Sequence, residues 1–151
     1  MEGAASTGRI VVGVDGSDAS VEALREAQKI ALPLGFGLVA TACWEFPQVY
    51  GGYVAMGIDG FEEAAAGILK QALETAFGPD LPDNVESRLV HGHARQELIE
   101  ASKEADMIVV GRRGHGGFGG LLLGSVSWAC VAHAHCPVLV VHAPEKNQPG
   151  A

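Results

Sequence analysis

The residues best suited to chemistry lie between Gly111 and Ser125, in the run GRRGHGGFGGLLLGS. Seven of its fifteen residues are glycine and two arginines open it, while the hydroxyls of Ser125 and Ser127 stand where a helix would begin. Glycine lets backbone N–H groups turn toward a ligand with no Cβ in the way. A helix N-terminus adds unpaired donors and a partial positive charge. The apolar run Met107–Val110 stops where the glycines start, and an amphipathic segment follows Ser125. Strand, glycine segment, hydroxyls and helix start together make an anion cradle, and a nucleotide phosphate is the anion that suits it.

Two short phosphate motifs overlap this run, and neither fits. Gly119–Ser125 has the spacing of a P-loop but places Ser125 where the phosphate-binding lysine belongs. Gly114–Gly119 matches GxGxxG, yet it follows the fourth apolar run rather than the first. No acidic residue sits about 20 positions later to hold a ribose.

Elsewhere the chemistry is thinner. Asp15 follows the apolar run RIVVGV and suits either a sugar hydroxyl or the cap of a helix. Cys130, His133, His135 and Cys136 have the donor types zinc accepts. The first two share a helix face and the last two lie past the helix exit, so they read as buried thiols and solvated histidines. His91, His93 and His115 read as a polar rim, and Glu97, Glu100 and Glu104 as a wet helix face. No Ser/His/Asp or paired-carboxylate arrangement has local support.

Apolar runs that alternate with helix-period segments must position these groups. Arg9–Val14, Leu38–Trp44, Val85–Val90, Met107–Val110 and Val138–Val141 read as strands. The first helix shows Val21, Leu24, Ala27, Ala31 and Leu34 at spacings of three and four, and Gly35–Gly37 ends it. Phe61–Phe77, Ala94–Glu104 and Ser125–Ala134 read as the other helices. Glu45–Gly60 reads as a long loop, the most mobile part of the chain. Residues 1–8 and 144–151 read as tails around one domain, 9–143.

Five strands joined by helical crossovers predict a single-domain α/β fold: an open parallel five-stranded sheet with helices on both faces, Rossmann-like. Strand order is not readable from the pattern. Ligands in such sheets bind beyond the carboxyl ends of the strands, where strand order switches. That places Asp15, Cys43–Glu45, His91–His93 and the glycine segment around one crevice.

Bulk properties narrow the function. The formal net charge of −8 argues against general nucleic-acid or acidic-membrane binding. A third of the 21 glycines sit in the one segment, so the glycine excess is local rather than a sign of disorder. Three cysteines without a CxxC suit a reducing compartment. No signal-peptide pattern opens the chain, and no apolar run approaches the ~20 residues a bilayer span needs. The cytoplasm is the expected location.

A more specific spacing runs Gly111, two residues, Gly114, nine residues, Gly124-Ser125. Joined to VGVDGS after the first strand and CPVLVV at the end, it resembles the universal stress protein family in its ATP-binding branch. The likeness extends from Arg9 to Val141. It implies the adenine nucleotide alpha-hydrolase-like fold, related to some electron-transfer flavoproteins and tRNA-modifying ATPases. By position, the resemblance assigns Asp15 to the ribose region with Gly13 and Val14 beside it, and Cys43 to backbone contact with adenine. Val110 and Gly111 flank the nucleotide, and Gly114 with the donors around Arg112 and Arg113 approaches the phosphates. Gly124, Ser125, Val126 and Ser127 close on the terminal phosphates, although Ser127 also reads as an ordinary first-turn residue. Trp128, one turn beyond Ser125, has no role carried over.

The resemblance implies ATP with Mg²⁺, a regulatory stress-response role, and a homodimer through the Val138–Val141 edge. AMP or cyclic AMP binding, slow ATP hydrolysis and a nucleotide-free interaction module are the alternatives. For hydrolysis, the sequence offers cradle residues but no evident group to position a water.

Overall fold

The computed structural model describes residues 8–45, 58–112 and 123–143. Strand and helix alternate as β1 (Arg9–Gly13), α1 (Asp18–Leu34), β2 (Gly37–Trp44), α2 (Ile58–Phe77), β3 (Val85–His91), α3 (Ala94–Ala101), β4 (Met107–Gly111), α4 (Ser125–His133) and β5 (Val138–Val141). The strands form one parallel sheet in the order β3-β2-β1-β4-β5. The expected α/β architecture is the observed one, and β5 lies at an edge.

Helices cover both faces. On one, α1 and α2 bury Leu24, Ala27, Ala31, Leu69 and Leu73 against Ile10, Val12, Leu38 and Ala40. On the other, α3 and α4 bury Leu98 and Cys130 against Val11, Val39, Ile108 and Val110. Successive strand residues point to opposite faces, and both faces are covered over β1, β2 and β4. Those strands therefore read as apolar runs, whereas the edge strand β3, VESRLVH, alternates and keeps a wetter face.

Local chemistry sets the element ends. The side chain of Ser17 caps α1 by accepting from Ser20 N–H at 3.1 Å. Gly35 ends α1 in the left-handed region at φ 70°, and Phe36 N–H returns to the Ala31 carbonyl at 2.9 Å. The period assigns Leu34 to the buried face; as the last helical residue it is instead 54% exposed. α2 starts at Ile58 rather than Phe61, so 58–60 leave the expected loop. Gly60, a poor helix former, hides that start in the sequence. The rest of the loop and its expected mobility lie outside the described residues.

The third helix is shorter than its periodicity suggests. It ends at Ala101 and tightens into a 3-10 turn, Ser102–Glu104. The cause is Ser102, 1% exposed, whose hydroxyl donates to the Ile99 carbonyl at 2.6 Å and accepts from His135 N–H at 2.9 Å. That serine fastens the end of α3 to the segment after α4.

Candidate functional site

Strand order reverses direction between β1 and β4, which pair with each other although they are far apart in sequence. Their carboxyl ends open the crevice in which open α/β sheets hold ligands. α1 begins just beyond β1, and α4 is the helix that follows β4.

Two glycines here are demanded by packing. A Cβ on Gly111 would lie 2.6 Å from Ala19 Cβ and 2.8 Å from its carbonyl carbon. Gly111 thus lets the first turn of α1 press against the end of β4. A Cβ on Gly13 would lie 2.9 Å from Leu98 Cδ1, so this glycine seats α3 on β1. Val14 and Val110 are 6% and 3% exposed and belong to the two cores. Val14 extends β1 by donating to the Thr41 carbonyl at 2.8 Å. What these valines can offer a ligand is main chain.

Asp15 is exposed at the mouth of the crevice. Its Oδ1 accepts from Ser17 N–H at 2.9 Å and from Ser17 Oγ at 2.6 Å, an Asx-type turn that presents the cap of α1. The turn reading of this carboxylate therefore holds in the structure. It leaves the carboxylate exposed just beyond the carboxyl end of β1.

The glycine segment is clasped at its base. Gly124 N–H donates to the Arg112 carbonyl at 2.8 Å, and Ser127 Oγ donates to the same carbonyl at 2.9 Å. Ser127 is 2% exposed, so its hydroxyl works as a staple between β4 and α4. Arg112 has protein partners for its own donors. Its N–H continues the ladder to the Val141 carbonyl at 2.7 Å, and its guanidinium lies 2.9 Å from His142 Nδ1. Arg113 and Gly114 lie outside the described residues, as does His115.

α4 opens on Gly124, extended at φ −75° and ψ 171°, with no side-chain cap. Trp128 N–H is the first to close on the helix, at 2.9 Å to the Gly124 carbonyl. The amides of Ser125, Val126 and Ser127 thus belong to the first turn, which has no intrahelical acceptors. Ser125 is exposed and Val126 half-buried. An anion there would meet three N–H groups, one hydroxyl and the positive end of the helix dipole.

The β2 side of the crevice holds groups the sequence under-read. Cys43 is half-buried, and burial pushes its thiol up to about 11, with Glu97 and Glu45 adding to the effect. Glu97, expected on a wet helix face, instead leans back over the start of α3. A Cβ on Gly92 would fall 2.5 Å from its Oε2. His93, the N-cap of α3, lies 3.3 Å from the Arg95 guanidinium and 3.9 Å from Glu45. His91 stacks on Trp44 with ring centroids 4.2 Å apart. Thr41 Oγ1 and His93 Nδ1 are buried and meet no partner among the described residues. Composition offers no signal for Thr41. Its spacing two residues before Cys43 on the same strand face is the clue that sequence contained.

The four candidate zinc donors are spread apart in character. Cys130 is in the core, Cys136 is half-buried, and His133 and His135 are exposed, His133 edge-on to Trp128 at 6.4 Å. Burial raises both thiols, Cys130 to about 11.

Known proteins resemble this chain in sequence and fold. The profile of the universal stress protein family matches residues 7–142. A universal stress protein of Methanocaldococcus jannaschii is 31% identical over 147 residues, covering 92% of this chain and 84% of its own. One from Mycobacterium tuberculosis is 34% identical over 147 residues, covering 93% of this chain but 49% of the relative. The chain thus spans about half the length of that relative. Among solved structures, the universal stress protein UspA from Lactobacillus plantarum superposes with a TM-score of 0.70 at 25% identity, covering 91% of this chain and 99% of its own. A universal stress protein in complex with cAMP gives 0.68 at 30% identity, covering 91% and 98%. The parallel order β3-β2-β1-β4-β5, the clasped glycine segment and these likenesses agree: the chain belongs to the universal stress protein family.

Proposed function

We propose that this chain is a nucleotide-binding regulatory protein whose ligand is ATP, bound with Mg²⁺ in the crevice between β1 and β4. The observation that carries this reading is the start of α4: an uncapped glycine, three first-turn amides and an exposed serine hydroxyl beside the strand-order switch. The donor set fits a phosphate chain. Ser125 and the amides of Ser125, Val126 and Ser127 would hold phosphate oxygens, and Asp15 would face the ribose. The unmet polar atoms of Thr41 and His93 support a base with both donors and acceptors on the β2 side. Mg²⁺ would add positive charge against the phosphates, with oxygen ligands drawn chiefly from them and from water.

Binding rather than turnover is the proposed activity, with the ligand ordering a surface that a partner reads. Such an effect requires different nucleotide affinities for two states. Unpaired thiols at Cys43, Cys130 and Cys136 support a reducing, cytoplasmic setting. No helix among the described residues is long and apolar enough to cross a membrane. The edge position of β5, with Trp128 and Val131 of α4 59% and 54% exposed, supports a homodimer through that edge.

One observation favours a second reading. A solved relative at 30% identity carries cAMP, whose single phosphate would need only part of the α4 cradle. Thermal melting with Mg-ATP, AMP and cyclic AMP separates the two. At a hundredfold excess over Kd, linkage supplies about 2.7 kcal/mol, or roughly 5–10 °C for a domain of this size. A shift that grows with the phosphate chain and vanishes in Gly114→Val supports ATP. Equal shifts with all three support the cyclic nucleotide reading, and no shift with any overturns both. Hydrolysis above the Gly114→Val background would show turnover.

A further inference from the structure

We propose that the other edge of the sheet, β3, is a second assembly surface, pairing antiparallel with β3 of a second copy about a two-fold axis through Ser87. This goes beyond nucleotide binding and beyond the β5 edge.

The ladder decides which backbone groups face outward. Leu38 N–H donates to the Asn84 carbonyl and Gly92 N–H to the Trp44 carbonyl, so even-numbered residues of β3 bond inward to β2. The main-chain groups of Ser87 and Leu89, and the Val85 carbonyl, therefore point away from the sheet; Val85 N–H is taken by the Pro82 carbonyl. A two-fold at Ser87 places Ser87 opposite its own copy as a hydrogen-bonded pair, with Leu89 opposite Val85 on either side.

Charge selects this register. Glu86 and Arg88 share one face of β3, 3.5 Å apart and 63% and 40% exposed. That face is not covered by α3, which packs on β1 and β2. Edge charges commonly block pairing, but these are opposite in sign and two residues apart. Centring the axis on Glu86 or on Arg88 sets like charges against each other. Centring it on Ser87 sets each Glu86 against the copy's Arg88, twice, at positions where side chains approach most closely. The strand is complementary to itself in that register, as a two-fold interface requires.

Apolar surface lies beside the same edge. A groove of about 420 Å³ runs between α2 and β3, where Leu81, 44% exposed, and Leu89 stand beside Lys70 and Glu74 over the buried Leu69 and Leu73. Pairing places a second Val85 and Leu89 next to it.

Sedimentation of the full chain carrying Val140→Pro, which removes an outward donor from the β5 edge, isolates this contact. Glu86→Arg and Arg88→Glu, each added to that background, should lower association at least tenfold when each is run alone. An equal mixture of the two should restore it, because a strand with two basic side chains then faces a strand with two acidic ones. The double exchange in one chain should restore it as well, since opposite charges again meet across the axis. Should Val140→Pro fail to fold, the same four samples without it read the step above the β5 dimer. Association unchanged in both single variants, absent in the parent, or not restored by mixing overturns the proposal. Nucleotide-dependent melting of the same samples is expected to be unaltered, so failure here and failure of nucleotide binding read out separately.

Discussion

Cys43 shows how a single position reports on the crevice. Its thiol sits at the end of β2 beside Glu97 and Glu45, and burial is the largest reason its proton is held to about 11 against an ordinary 9.0. The folded state thus favours the neutral thiol. The stabilisation is complete below pH 9 and is lost as pH rises from 9 toward 11, since the unfolded chain releases that proton first. Urea unfolding between about pH 8.5 and 11 should show stability falling across that window. Cys43→Ala should flatten the fall, leaving the part owed to Cys130 and Cys136, whose thiols burial also raises. A wild-type profile that is level from pH 9 to 11 would contradict the burial argument. Alkylation of Cys43 should likewise stay slow at about pH 8, where little thiolate exists.

At the scale of elements, α4 carries the functional argument, because its first turn faces the crevice without a cap. Ser125→Glu tests that role in two opposite directions. A carboxylate in the first turn complements the helix dipole and should raise apo stability by about 0.3–1 kcal/mol. The same charge repels phosphate, so the melting shift with Mg-ATP should shrink or disappear. Gain in the apo melt with the nucleotide shift intact would place the phosphates elsewhere. The clasp between Arg112, Gly124 and Ser127 also belongs to this scale, since it joins both ends of the glycine segment whatever residues 113–122 do. Sequence pattern made this element visible, and the periodic residues of α1 did the same for the opposite face. The clasp itself was invisible, because a serine bonded to a carbonyl fifteen positions away leaves no local signature.

At the scale of the molecule, the proposed assembly rests on the two edge strands of the sheet, β3 and β5. β5 is short and apolar, VLVV, and Ile108 and Arg112 donate to Pro137 and Val141, which leaves the groups of Val138 and Val140 pointing outward. A homodimer through that edge should appear in sedimentation at micromolar concentration, and Val140→Pro should shift it toward monomer with the melt little changed, since edge strands tolerate proline. A wild-type chain that stays monomeric throughout that range would remove the β5 reading. Pairing at both edges, as proposed, would let dimers joined through β5 extend through β3.

Hydrophobic period and glycine punctuation are local properties. They determined the number and kind of elements, the parallel α/β class and the neighbourhood of Asp15, Cys43 and the glycine segment. The family resemblance, rather than the pattern, set Gly13 and Gly111 beside the nucleotide, and the structure adds that Leu98 and Ala19 fill the space a Cβ would need at those positions. Strand order, the inward turn of Glu97, the partners of Arg112 and the early end of α3 were decided only by the fold. Each depends on contacts between residues far apart in the chain, and such contacts exist only once the sheet has brought the strand ends together.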